Sequence, residues 1–249
     1  MTTIAVLADP PREGVVLPEL TEIGKLTATE ATELYAAMLT DVCKAVEGSG
    51  ADLLVNYRPD EQVDDGDVDS ETAVRNAVGD VIDTNEARFE VQVGPTFAAR
   101  VGNTITHLLE REGVRTAAVV TPAAALLGRQ HIDSAAMKLR SNDVVLGPST
   151  MGRVTYAGFA EPIDFEDAFA TPQIETLVDR AGDAGLSVGF LPTVPLLAAE
   201  DDLATVVPQI RARQQAGRLV PTQTADVLDS LGIEVVEEDG TPTVVRPSE

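Results

Sequence analysis

A loop of small residues and two arginines are the features of this chain whose types and spacing point to ligand chemistry. Val144 to Leu146 and Val154 to Gly158 read as two short buried strands, and between them lies Gly147-Pro148-Ser149-Thr150-Met151-Gly152-Arg153. Small residues let a backbone approach another group, because glycine has no Cβ to hold it away. Open α/β sheets place ligands at loops of this kind, beyond the carboxyl ends of strands. Arg153 closes the loop, and Arg12 lies in an earlier loop that the same topology brings to the same edge of a sheet. A guanidinium suits bidentate recognition of phosphate or carboxylate. Each arginine could instead pair with one of the many acids of this chain. For Arg153 both readings stay open, and for Arg12 the structural one is preferred.

Other constellations are missing. The sequence has no Walker A motif, no G-x-G-x-x-G after its first strand and no G-x-S-x-G, so neither standard phosphate loop nor a nucleophile elbow applies. The two histidines, His107 and His131, lie far from Cys43, the only cysteine, so a zinc site of the usual ligands is not expected. His107 falls in a predicted helix, where a structural or surface role outweighs catalysis. Cys43 lies on the apolar side of another, as a buried inert thiol would. Asp64, Asp65, Asp67 and Asp69 cluster, but their spacing does not fit an EF-hand, and the segment from Asp60 to Glu71 reads as a solvated loop.

Composition narrows the classes further. Hydrophobic residues make up 44 % of the 249, enough for a sizeable core, although aromatics are only 4 % and tryptophan is absent. Asp and Glu number 41 against 18 Lys and Arg, a formal charge of -23. Such a surface repels nucleic acid and anionic membrane. The acids are spread along the chain, which suggests adaptation to a salty cytoplasm, where screening shrinks self-repulsion. No basic segment followed by an apolar one opens the chain, and no apolar run reaches transmembrane length. A cytoplasmic protein is expected, with homo-oligomerisation possible.

The elements that must position these residues alternate. Strands are predicted at Thr3 to Leu7, Leu53 to Tyr57, Phe89 to Val93, Ala117 to Val120 and Val188 to Leu191, besides the two already named. Thr27-Ala28-Thr29-Glu30 fits a capping box ahead of Leu34, Tyr35, Met38, Leu39, Val42, Cys43 and Val46 at helical spacing. Helices are also predicted from Glu71 to Ile82, from Thr96 to about Glu112, and from Gln130 to Arg140. Three more are expected: from Thr171-Pro172, as cap and first-turn proline, to near Gly185; from Asp201 to Ala216, kinked or interrupted at Pro208; and from Thr222 to Leu231. Asp239-Gly240 marks a closing hairpin. This alternation argues a three-layer α/β/α sandwich with a mainly parallel sheet. It is expected as one domain over 1–249, with a hairpin appendage at about 232–247.

The loop from Gly147 to Phe159 resembles the signature of a radical-SAM-associated glycosyltransferase-like family. That family lies in the nucleotide-diphospho-sugar transferase (GT-A-like) superfamily, beside molybdenum-cofactor and 2-phospholactate guanylyltransferases. Its members read about G-P-A-x-D-G-G-Y-Y-L-I-G-L, and Gly147, Pro148, Ser149, Gly152, Gly158 and Phe159 keep that pattern without a gap. Leu7, Ala8, Pro11, Gly14, Val16 and Leu20 match the family's first loop in phase, Arg100 falls at the Arg of D-L-G-E-R-M, and Glu200 to Leu203 resembles its closing D-x-D-T-P-E-D-L. The matches run from about Thr3 to Val207, and the acidic composition suggests a divergent, haloarchaeal-type member. The resemblance implies the superfamily fold, a nucleotide or sugar-nucleotide ligand, and a site lined by Gly147, Pro148, Ser149, Gly152 and Arg153, with Arg12 and Arg100 nearby.

The departures fall on the charged positions. Asp9, Leu17 and Glu19 stand where the family has basic residues, Ala123 and Met151 where it has Asp, and Leu196 and Ala198 where it has paired acids. The family's Mg²⁺ or Mn²⁺ would lose its ligands, so no cofactor is expected unless Asp164 or Glu166 supplies a replacement. A diphosphate needs a cation to hold it and to stabilise the leaving group. Two functions stay open: a glycosyl- or nucleotidyltransferase degenerate at its metal and phosphate positions, and a non-catalytic relative that binds a nucleotide or a protein. The charge leads to a first prediction. Far-ultraviolet circular dichroism should show structure lost in dilute buffer and regained in molar salt; full structure at low ionic strength would contradict the salt-adapted reading.

Overall fold

The computed structural model describes residues 2–63, 66–85 and 87–246. Its main sheet is built from β1 (Thr2–Ala8), β2 (Asp52–Tyr57), β3 (Arg88–Val91), β4 (Thr116–Val120), β5 (Val144–Pro148), β6 (Val154–Phe159) and β7 (Val188–Phe190). The strand order is β3-β2-β1-β4-β6-β5-β7. β6 runs antiparallel to both β4 and β5, and the other pairings are parallel. All seven residues of β1 are buried. A central strand covered on both faces has no solvated side, so its sequence is continuously non-charged rather than alternating.

The helices are α1 (Pro18–Glu22), α2 (Ala28–Glu47), α3 (Ser70–Val78), α4 (Phe97–Thr106), α5 (Arg129–Lys138), α6 (Gln173–Asp183), α7 (Glu200–Gln215) and α8 (Thr222–Ser230). Successive residues of β1 point to opposite faces. Ile4, Val6 and Ala8 join Val42 and Val46 of α2, Val74 of α3 and Ile132 of α5 in one core, whereas Ala5 and Leu7 join Val101 and Ile105 of α4 and Leu177 of α6 in another. The molecule is therefore the expected three-layer sandwich. A third apolar cluster lies beyond the sheet, where Leu34 and Met38 of α2 meet Leu20, Leu203, Ile210 and Leu228. Among the described residues no helix is long and apolar enough to cross a membrane.

Local signals explain most helix ends. Thr27 Oγ1 accepts from the Glu30 N–H at 3.2 Å and Glu30 Oε2 accepts from the Thr27 N–H at 2.8 Å, a complete capping box. Cys43 is fully buried in α2, and burial pushes its thiol well up. Thr96 caps α4, but the helix past Thr106 widens into a π-helical turn over His107–Arg111. α6 begins at Gln173, one residue later than predicted, with Pro172 extended at the capping position. α7 runs through Pro208 as one element, held on its inner face by buried Val206, Val207 and Ile210. Of the acidic cluster, Asp69 caps α3 through the Thr72 N–H at 2.8 Å, whereas Asp64 and Asp65 lie outside the described residues.

The C-terminal hairpin pairs β8 (Glu234–Glu238) with β9 (Thr241–Val245) across Asp239-Gly240, both at positive φ as a two-residue turn with matching twist requires. It forms a second, separate sheet. Val244, with Ile233 just ahead of β8, buries into the third cluster, and Arg246 bonds both Glu30 oxygens at 2.6 and 3.0 Å. That pairing, led by the Arg246 hydrogen bond, holds the Glu30 carboxyl down from 4.5 to about 2. A carboxylate depressed in the folded state stabilises fully above its unfolded value, and the contribution fades as pH falls toward its folded value. Denaturation midpoints measured from pH 5 to pH 2 should show a slope in this window that Glu30→Gln reduces; an unchanged slope would mean that this pairing does not matter in solution.

Candidate functional site

The strand order reverses between β1 and β4, whose chains leave toward opposite ends of the sheet. Beyond their carboxyl ends lies a cavity of about 340 Å³, where this topology opens a crevice. Leu7 reaches it from β1 and Asp9 from just after that strand, Tyr35 from α2, Gln92 from just after β3, Phe97 and Arg100 from α4, and Thr121 and Ala123 from just after β4.

The cleft's polar wall is organised by Gln92, which is almost fully buried. Its Nε2 donates to the Ala8 carbonyl at 3.0 Å and to the Asn56 carbonyl at 2.7 Å. Both amide hydrogens are thus engaged, and Oε1 faces Arg100, accepting from its Nε at 2.7 Å. Burial lowers the Arg100 guanidinium from its ordinary range, a shift that nearby Asp9 opposes. Asp9 itself pairs with Arg58 Nε at 2.9 Å, and its backbone N–H donates to Tyr35 Oη at 2.7 Å. Burial raises the Asp9 carboxyl against the pull of Arg58 and Arg100, and burial also drives the Tyr35 phenol well up. Charged groups desolvated in a cleft are where binding or proton-transfer chemistry concentrates.

Of the seven residues expected from sequence to bind a ligand, Gly147, Pro148, Ser149, Gly152, Arg153, Arg12 and Arg100, it is Arg100 that lines this cavity. Arg12 donates to Asp60 Oδ1 at 2.8 Å and to the Val68 carbonyl at 2.6 Å. Arg153 forks onto Asp202, with Nη1 to Oδ2 at 2.9 Å and Nη2 to Oδ1, and its Nη2 also bonds Thr150 Oγ1 at 3.0 Å. Asp202 is buried and also accepts from the N–H groups of Ala198 and Ala199 at 2.9 and 3.0 Å. Ser149 Oγ accepts from the Leu196 N–H at 3.0 Å, and the Pro148 carbonyl accepts from the Val194 N–H at 3.0 Å. The loop is therefore stitched to the segment 194–202, and Ala198 of that segment forms part of the cavity wall.

Internal packing accounts for the loop's glycines. A Cβ on Gly147 would come within 2.7 Å of Thr155 Oγ1, and one on Gly152, at φ +68°, within 2.8 Å of Pro172 Cβ. A Cβ on Gly158 would meet the Tyr156 ring at 2.7 Å. Arg58, Tyr35 and Gln92 carry the cleft's polar geometry, yet they match no motif. The one sequence signal for Arg58 and Gln92 is a polar side chain directly past the carboxyl end of a strand.

The divalent metal implied by the family resemblance does not fit the side chains present. Ala123, Leu196 and Ala198 offer no side-chain oxygen, and Met151 is exposed with only a thioether. Asp164 pairs with Arg180 Nη1 at 3.1 Å, and the Glu166 carbonyl accepts from Arg180 Nη2 at 2.6 Å. Among the described residues no three Asp, Glu, His or Cys side chains converge as a metal site would require.

The sandwich matches the fold of solved structures of the nucleotide-diphospho-sugar transferase type. A proposed nucleotide-diphospho-sugar transferase from Desulfovibrio desulfuricans G20 superposes with a TM-score of 0.75 at 19 % identity, covering 92 % of this chain and 94 % of that one. A cytidylyltransferase from Leptospira borgpetersenii serovar Hardjo-bovis superposes at 0.51 with 11 % identity, covering 92 % and 94 %. No protein-family model and no curated protein matches the chain.

The Arg153–Asp202 pair gives a stability prediction. Asp202→Ala should cost roughly 3 kcal/mol by urea denaturation, the low end for breaking a buried pair, since Arg153 is partly exposed. Asp202→Asn, which can still accept from the backbone of 198–199, should cost less. Equal losses would show that the ion pair is not what matters.

Proposed function

We propose that the cleft beyond β1, β3 and β4 binds a nucleotide or sugar nucleotide, and that arginine rather than a divalent metal meets its phosphate. The observation that carries this is Arg100. Gln92 fixes it through Nε alone, so among the described residues its two terminal amino groups have no protein hydrogen bond and remain available at the cavity wall. A guanidinium held in that way is oriented in advance for a bidentate oxyanion contact. Leu7, Leu17, Phe97 and Pro122 supply an apolar surface on which a planar base could lie.

A second reading, turnover as a glycosyl- or nucleotidyltransferase, is favoured by Asp9. Its partly buried carboxyl, raised by desolvation, is the kind of group that could accept a proton from an acceptor hydroxyl.

Thermal-shift screening decides between these readings, because a ligand of the native state raises its stability. Nucleoside mono-, di- and triphosphates and sugar nucleotides should be tested with and without Mg²⁺ or Mn²⁺. A shift that needs no metal, and an affinity lowered about tenfold or more by Arg100→Gln, are expected. A shift seen only with metal would overturn the arginine reading and favour metal-assisted transfer. No shift with any nucleotide would leave a protein-interaction role.

A further inference from the structure

The charges that face the cleft restrict which phosphate groups it can hold. Among the described residues the carboxylates and guanidiniums lining it are Asp9, Glu19 and Arg100. Arg58 is paired with Asp9 at 2.9 Å and is not among the residues that line the cavity. Arg153 does not line the cavity, and its fork is taken by Asp202. One guanidinium therefore presents unengaged amino groups to a ligand, and both remaining charges at the wall are negative.

We infer that the cleft takes a ligand with a single phosphate: a nucleoside monophosphate, or a nucleoside joined to a sugar through one phosphate. This rests on the nucleotide reading above. One phosphate can occupy the Arg100 fork, whereas a second must lie against Asp9 or Glu19, with no second cationic side chain among the described residues lining the wall. Like charges a few ångströms apart repel strongly in a partly desolvated site. In an ordinary polyphosphate site each added phosphate gains a contact and affinity climbs. Here the order is reversed.

Isothermal titration with the mono-, di- and triphosphates of each common ribonucleoside, in EDTA and at constant ionic strength, tests this. The monophosphate should bind tightest, with each added phosphate weakening binding by about tenfold. Glu19→Gln, at an exposed position, should narrow the gap between mono- and diphosphate while leaving the melting temperature of the free protein unchanged. Affinity that is equal or rises with phosphate number, or a gap that Glu19→Gln does not alter, would overturn the inference while leaving the nucleotide reading in place. No heat with any nucleotide would overturn both.

Discussion

A single buried amide connects the sheet of this protein to its cleft. Gln92 joins the carboxyl ends of β1 and β2 through two hydrogen bonds to carbonyls and turns its oxygen to Arg100 of α4. Because those carbonyls can only accept, the orientation of the amide is forced, and with it the direction of the guanidinium. The strand order supplies the place: β1 and β4 are paired neighbours whose following connections lead to opposite sides of the sheet, so beyond their carboxyl ends lies a crevice that α2 and α4 wall but do not fill. Removing that arrangement would leave Arg100 a flexible side chain in a hollow rather than an oriented group.

The loop that carries the strongest family resemblance is bound closely into the rest of the protein. Its glycines are required by Thr155, Tyr156 and Pro172, all within the protein. Its arginine is bound to Asp202, which also gathers the amides that open α7. The loop thus braces the segment that closes one side of the cavity. The loop's polar groups are thus engaged within the protein, and the guanidinium that lines the cavity comes from α4.

The third apolar cluster shows how the C-terminal part is held. α7, α8 and the hairpin do not add to the main sheet. They bury Leu203, Ile210, Leu228, Ile233 and Val244 against α1 and α2, and the Arg246–Glu30 pair ties the last strand to the cap of α2. A capping box read from sequence therefore serves a second purpose that sequence could not show, since its glutamate is also the anchor for a residue more than two hundred positions later.

Pattern alone was enough for the sandwich, because strand and helix periods are local properties of consecutive side chains. Thr27 and Glu30, the turn at Asp239-Gly240 and the continuous burial of β1 were legible for that reason. The π turn at His107 and the unbroken run through Pro208 were not, because packing against neighbouring elements decided them. Resemblance singles out Arg100, and the fold places it at the cavity wall. Arg58, Tyr35, Asp9 and Gln92 gather from four separate segments, so their shared network exists only once the sheet has formed. Whether an arginine meets a ligand or an aspartate is likewise a question of distance across the fold, and the order of residues along the chain carries no such distance.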